Sequence, residues 1–128
     1  MNEPPDLHDT LSTLKHRLRG FASERDWDQF HSPKNLATAL IVEAGELVEH
    51  FQWLTETESA ELSAEKLEQV KLELADVLIY VVRLADKLDI DLAGAAHEKM
   101  ALNDRKYPAD RVRGDARKYT EYKETENE

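Results

Sequence analysis

The sequence predicts an all-α chain with four principal helices, on three observations. Apolar residues recur at helical spacing over long stretches. Helix-starting signals, Ser32-Pro33, Ser63 and Asp91, stand just ahead of three of those stretches. Charged residues make up 34% against 41% hydrophobic, the balance of thin, strongly solvated helices. A length of 128 residues suits one domain. The expected organisation is a flexible tail at 1–6, a helical domain at 7–108 and a charged tail at 109–128.

Each element follows from local pattern. Pro4-Pro5 block helix in the leading tail. Leu7, Leu11, Leu14, Leu18 and Phe21 mark an amphipathic first helix over about residues 6–25, weakened locally by Gly20. Ser32 caps a second helix and Pro33 takes its first position; Leu36, Leu40, Leu47, Phe51 and Leu54 form its apolar stripe. Residues 55–62 are polar and acidic and read as a connector. Ser63 caps a third helix that runs to about Leu88, with a main stripe of Leu67, Leu74, Leu78, Val81, Ala85 and Leu88. Its Val77–Val82 segment is apolar nearly all round, which predicts burial on two sides. The β-branched residues there would suit a strand, but helical periodicity in both flanks decides for helix. Asp91 caps a fourth helix over 92–106, ended by Tyr107-Pro108. Beyond it the chain is charged and nearly without aliphatics, although Tyr119 and Tyr122 leave room for packing on a partner.

Composition excludes several functions. The net charge is -10, so a nucleic-acid backbone is not expected as a partner. Cysteine is absent, which rules out disulfides and thiolate metal sites. No apolar run approaches the ~18 residues a membrane span needs, and the acidic, proline-containing N-terminus lacks a signal-peptide pattern. A soluble, cytoplasmic protein is expected.

Two acidic pairs carry the chemistry. Glu43 falls inside the second helix's apolar stripe, three residues after Leu40 and four before Leu47, and Glu46 follows one turn later. Glu73 and Asp76 repeat the pattern at the head of the apolar run in the third helix. Carboxylates at i and i+3 project from one helix face with Cβ atoms ~5–6 Å apart, and they repel unless a cation lies between them. Two such pairs on facing helices make a four-carboxylate cage, whose oxygen-only donors suit Mg²⁺ or Mn²⁺. Spacing alone leaves a second reading open, surface carboxylates flanking a core stripe. Glu58/Glu61 and Glu65/Glu68 have the same spacing and look solvated. The apolar setting separates the first two pairs from these.

Around the acids lie groups with two readings each. Trp27, Phe30 and Trp53 suit either a core or a stack on a planar base. His31 is an ordinary loop histidine or a donor to base or phosphate. Tyr80, four residues after Asp76, shares the acids' face. Lys99, Asn103 and Lys106 align at i, i+4 and i+7 as a cationic stripe that fits phosphates or plain solvent. His50 does not make the Glu-x-x-His spacing of di-iron bundles, which argues against an oxidase or storage bundle. A non-catalytic helical oligomerisation or regulatory module would account for the stripes, but not for acids placed on apolar faces.

Taken in order, His31-Ser32-Pro33-Lys34-Asn35-Leu36, Glu43-Ala44-Gly45-Glu46-Leu47, Phe51-Gln52-Trp53, Glu73-Leu74-Ala75-Asp76-Val77-Leu78-Ile79-Tyr80, Lys99-Met100, Asn103 and Lys106-Tyr107-Pro108 resemble the MazG-like nucleotide pyrophosphohydrolases. The short, single-domain dCTP pyrophosphatase type is the nearest match, over roughly residues 21–108, with a weaker echo at Arg117-Lys118-Tyr119-Thr120. The resemblance implies a four-helix MazG-like bundle that assembles as a homodimer or a dimer-of-dimers tetramer. It implies Mg²⁺-dependent cleavage of a nucleoside triphosphate, dCTP or a modified dCTP among the candidates, into monophosphate and pyrophosphate. It maps the metal ligands onto Glu43, Glu46, Glu73 and Asp76; in the chemistry that follows, a carboxylate not fully engaged in ligation takes the proton of the attacking water, and Glu46 is the candidate general base. It maps base-side aromatics onto Trp27 and Trp53, with His31 and Tyr80 also lining the site, and Lys99, Asn103 and Lys106 onto positions near the phosphates. One departure bears on base choice: Leu18 stands where some relatives carry a polar, substrate-contacting residue, so that either His16, Arg17 or Arg19 substitutes or the contact is absent.

Overall fold

The computed structural model describes residues 10–117; the expectations for the 1–6 tail, Tyr119 and Tyr122 lie outside them. Among the described residues every regular element is helical. The order is α1 (Thr10–Glu24), a single 3-10 turn (Asp28–Phe30), α2 (Pro33–Glu49), α3 (Glu56–Ala60), α4 (Ala64–Lys87), α5 (Leu92–Lys106) and α6 (Ala109–Val112). No described helix is long and apolar enough to cross a membrane.

The chain divides into two compact units, the first ending at Ile90 and the second beginning at Asp91. In the first, α4 packs against both α2 and α1, and α1 touches the 3-10 turn. The second holds α5 and the short α6.

The three helix starts follow their caps. Ser32 Oγ accepts from Asn35 N–H, with Pro33 in the first helical position, and Ser63 Oγ accepts from Lys66 N–H. The Asp91 carboxylate accepts from Gly94 N–H. Two boundaries differ from expectation. Helix α2 ends at Glu49 rather than near Leu54, and residues 50–54 close into tight turns in which Val48 O accepts from both Phe51 and Gln52 N–H. The connector contains α3, because Thr55 and Glu58 form a reciprocal capping box: Glu58 N–H donates to Thr55 Oγ1 and Thr55 N–H to Glu58 Oε1.

Both α1 and α4 end in the same way. Asp26 and Asp89 adopt left-handed backbone, each with φ of 54°. Trp27 N–H then donates to Ala22 O, and Ile90 N–H to Ala85 O, the six-residue closure of a Schellman motif. At the end of α1 this reversal lays Trp27 edge-on against Phe21, ring centroids 5.7 Å apart.

Among the described residues the buried apolar ones are Ala22, Leu36, Val70, Val82 and Ala85. This corrects the expected stripe of α4: Leu67, Leu74, Leu78 and Leu88 remain substantially exposed. The helix is apolar on more than one face, and α1 and α2 cover the face carrying Val70, Val82 and Ala85. Ile41, Val42 and Val48 of α2 are also exposed.

Left-handed backbone is costly for a residue with a Cβ, and Asp89 is exposed. Asp89→Gly is expected to stabilise the protein by ~0.5–1 kcal/mol, read as a rise in the urea unfolding midpoint with the slope unchanged; an equal or lower midpoint would contradict it.

Candidate functional site

The packing of α4 on α2 gathers the first acidic cluster. One carboxylate oxygen from each of Glu43, Glu73 and Asp76 lies within 4.8 Å of the other two. Glu73 and Asp76 are one helical turn apart on α4, and Glu43 meets them from the middle of α2. Oε2 of Glu43 and Oε2 of Glu73 are buried with no hydrogen-bond partner among the described residues. A buried carboxylate oxygen is costly unless something accompanies it. The set is all oxygen, which is the donor chemistry a hard divalent cation takes.

The crowding shows in the titration of Glu43. Burial above all, then the adjoining Glu46 carboxyl through proton sharing and charge, then the Asp76 and Glu73 charges, push it up to about 7. Glu46 therefore lies beside the cluster, against Glu43, and is not one of the three residues whose oxygens converge.

Further along the same unit, α1, the turn after it and α4 enclose a mainly apolar cavity of about 430 Å³. Leu18 and Phe21 line it from α1, Trp27 and His31 from either side of the 3-10 turn, and Tyr80 and Arg83 from α4. Tyr80 is one helical turn beyond Asp76, so the cavity and the acidic cluster are successive features of one helix. A volume of this order holds a small planar ligand. Leu18 makes its position in the wall apolar, and Arg17 is the α1 cation that lines it. Arg19 faces elsewhere, with its guanidinium on Asp86.

The structure thus brings Trp27, His31 and Tyr80 together. Trp53 stays apart from them, 86% exposed in the turns after α2. Lys99, Asn103 and Lys106 are exposed along α5, in the second unit.

Sequence pattern missed Arg83. It follows the apolar Val77–Val82 run and reads as a solvated end, yet it is 3% exposed. Its NH2 donates to Asp28 Oδ1 at 3.1 Å and meets His31 Nδ1 at 3.2 Å, while its NH1 donates to Asp86 Oδ2 at 3.3 Å. Lys87 Nζ also reaches Asp28 Oδ1, at 2.7 Å. The hydrogen bonds from Lys87 and then Arg83 hold the Asp28 carboxyl below its usual range, and the one from Arg19 does the same for Asp86. The available signal was register: Arg83 falls seven residues after Asp76 and three after Tyr80, on their face.

Comparison with known proteins agrees with this geometry. The MazG-like family model matches residues 39–122. The dCTP pyrophosphatase 1 of Homo sapiens is 47% identical over 114 residues, covering 88% of this chain and 67% of that protein. Its Bos taurus counterpart is 45% identical over the same length, covering 68% of that protein. The crystal structure of a pyrophosphatase from Archaeoglobus fulgidus superposes with a TM-score of 0.74 at 38% identity, over 84% of this chain and 99% of the other. With its acid pairs on facing helices and this extent of similarity, the chain belongs to the MazG-like family.

Proposed function

We propose that this protein is a divalent-metal-dependent nucleoside triphosphate pyrophosphohydrolase. It cleaves dCTP or a modified dCTP between the α and β phosphates, as a cytoplasmic homo-oligomer. The observation that carries this reading is the convergence of the Glu43, Glu73 and Asp76 carboxylates between α2 and α4, where Glu43 and Glu73 each have a buried oxygen without a hydrogen-bond partner among the described residues. The dCTP pyrophosphatase relatives support the substrate class.

Glu43, Glu73 and Asp76 would hold the cation, with Glu46 completing the set or standing at its edge. When bound, Mg²⁺ would supply Lewis acidity toward phosphate oxygens and a lowered pKa for a coordinated water. Glu46, outside the three converging oxygens, is the proposed general base: it takes the proton of the water that attacks the α-phosphorus. The bond from that phosphorus to the α–β bridging oxygen breaks, and pyrophosphate leaves with the electron pair. The base enters the cavity beside Tyr80, with Trp27 as a stacking surface. Lys99, Asn103 and Lys106 are phosphate contacts on the family pattern alone.

The exposed apolar residues of α2 and α4 support an oligomer, since a second copy would cover them. Trp53 is then supplied to a neighbouring subunit's base.

Glu43→Gln or Asp76→Asn is expected to abolish pyrophosphate release while leaving the helical circular dichroism unchanged; wild-type rates in either would refute the cage. The raised Glu43 pKa also fixes a sign. Folding favours its protonated form, so this contribution to stability is complete below the unfolded value, 4.5, and is lost as pH rises through about 7. Metal-free wild type should therefore lose stability toward pH 8 relative to Glu43→Gln, and Mg²⁺ should reverse the order. Parallel denaturation curves for the two proteins at every pH would contradict this.

Stacking on an aromatic is worth ~1–3 kcal/mol per base. Trp53→Ala is accordingly expected to raise KM for dCTP roughly ten- to a hundredfold. Mixing Trp53→Ala with Glu43→Gln subunits should restore activity above either parent, because one composite site is intact in each hybrid. Absence of recovery after demonstrated subunit exchange would place Trp53 with its own chain's site.

A further inference from the structure

Arg83 holds more than the two carboxylates it bonds. A guanidinium carries only donors. Its NH2 meets His31 Nδ1 at 3.2 Å, so Nδ1 must accept, and the proton of the neutral imidazole resides on Nε2. His31 lines the cavity, and its Nε2 has no partner among the described residues. Burial first, and then the Arg83 cation, lower the His31 pKa, which keeps the ring neutral. Arg83 lines the same cavity, and its Nε–H is buried with no partner among the described residues. Asp28, bonded to Arg83 and Lys87, and Asp86, bonded to Arg19 and Arg83, engage the other guanidinium nitrogens. One N–H donor, His31 Nε2–H, is thus unspent at the wall of an otherwise mainly apolar cavity, and the buried Arg83 behind it fixes its tautomer.

Resting on the reading that this cavity takes the base, we propose that Arg83 is a positioning and specificity-determining residue. It locks His31 as an Nε2–H donor, and that donor reads the N3 acceptor of a cytosine ring. Uracil and thymine carry N–H at position 3 and would oppose a donor with a donor. Stacking on Trp27 or Tyr80 is nearly indifferent to base identity, so the discrimination lies in this donor. A polar site rejects an analogue that leaves its buried groups unpaired far more strongly than an apolar site does.

The test combines a spectroscopic and a kinetic arm. Arg83→Met removes every donor yet leaves Asp86 bonded to Arg19 and Asp28 to Lys87, so neither carboxylate is stranded. Nitrogen-15 shifts of His31 should show the Nε2–H tautomer in wild type and a mixture of tautomers in Arg83→Met. The ratio of kcat/KM for dCTP over dTTP should fall about tenfold or more in Arg83→Met, through KM for dCTP with kcat held. Adding Arg83→Met to His31→Ala should change the ratio no further. For wild type, 3-deaza-dCTP, with C–H in place of N3, should be disfavoured by a similar factor. An Nδ1–H tautomer in wild type, or wild-type acceptance of 3-deaza-dCTP, would overturn the proposal even if Arg83→Met failed to fold. A folded Arg83→Met with the wild-type base ratio would also overturn it. Release of no pyrophosphate from any nucleotide would instead refute the pyrophosphohydrolase reading. The His31 tautomer and the relative binding of dCMP and dTMP by calorimetry would then decide the role of Arg83.

Discussion

Three carboxylates that repel one another are held together where α4 crosses α2, and the rest of the first unit is arranged to keep them there. Packed helices approach to about 8–10 Å, which leaves little room to hydrate acids at the contact. The penalty shows at Glu43, whose carboxyl is pushed up to about 7 by burial and then by the neighbouring acids. The fold offsets it with apolar contact elsewhere on the same helices, at Leu36 on α2 and at Val70, Val82 and Ala85 on α4. Under the proposed function, this repulsion is what a bound cation would relieve.

A second polar cluster, at the other end of α4, is built on the opposite rule. Arg83 is buried, but its charge meets Asp28 and Asp86, which are in turn bonded by Lys87 and Arg19. A buried cation needs such partners, because without them it is an uncompensated charge out of water. The cluster ties together α1, the turn after it and α4. With the left-handed Asp26 reversing the chain, it sets Trp27 and His31 opposite Tyr80 and so shapes the cavity. The acidic cluster leaves charge uncompensated for a cation, and the mixed cluster compensates its charges to hold a wall.

The small buried core follows from the same division. Positions on α2 and α4 that a monomer would use for apolar packing hold Glu43, Glu73 and Asp76, while Leu67, Leu74, Leu78, Ile41 and Val48 are left exposed. An apolar surface of this kind is what the proposed homo-oligomer would cover, and the exposed Trp53 lies at the end of the α2 segment that carries it.

The sequence by itself determined the elements and their chemistry. Serine and aspartate caps, a proline at a first helical turn and 3.6-residue periodicity act locally, so α2, α4 and α5 could be placed before any packing was known. The acid pairs were legible because i,i+3 spacing fixes a shared face whatever the surroundings. The end of α2 and the existence of α3 were less legible: the Thr55–Glu58 box is a local signal hidden in an acidic stretch, where charge reads as loop. Tertiary structure alone decided which face of α4 is buried, because an all-round apolar segment has no preferred side until α1 and α2 pack on it. It alone set Glu46 outside the three converging oxygens and brought Trp27, His31 and Tyr80 to one cavity. It alone gave Arg83 its place, because hydrogen bonds between residues 52 and 55 positions apart leave no trace in local sequence pattern.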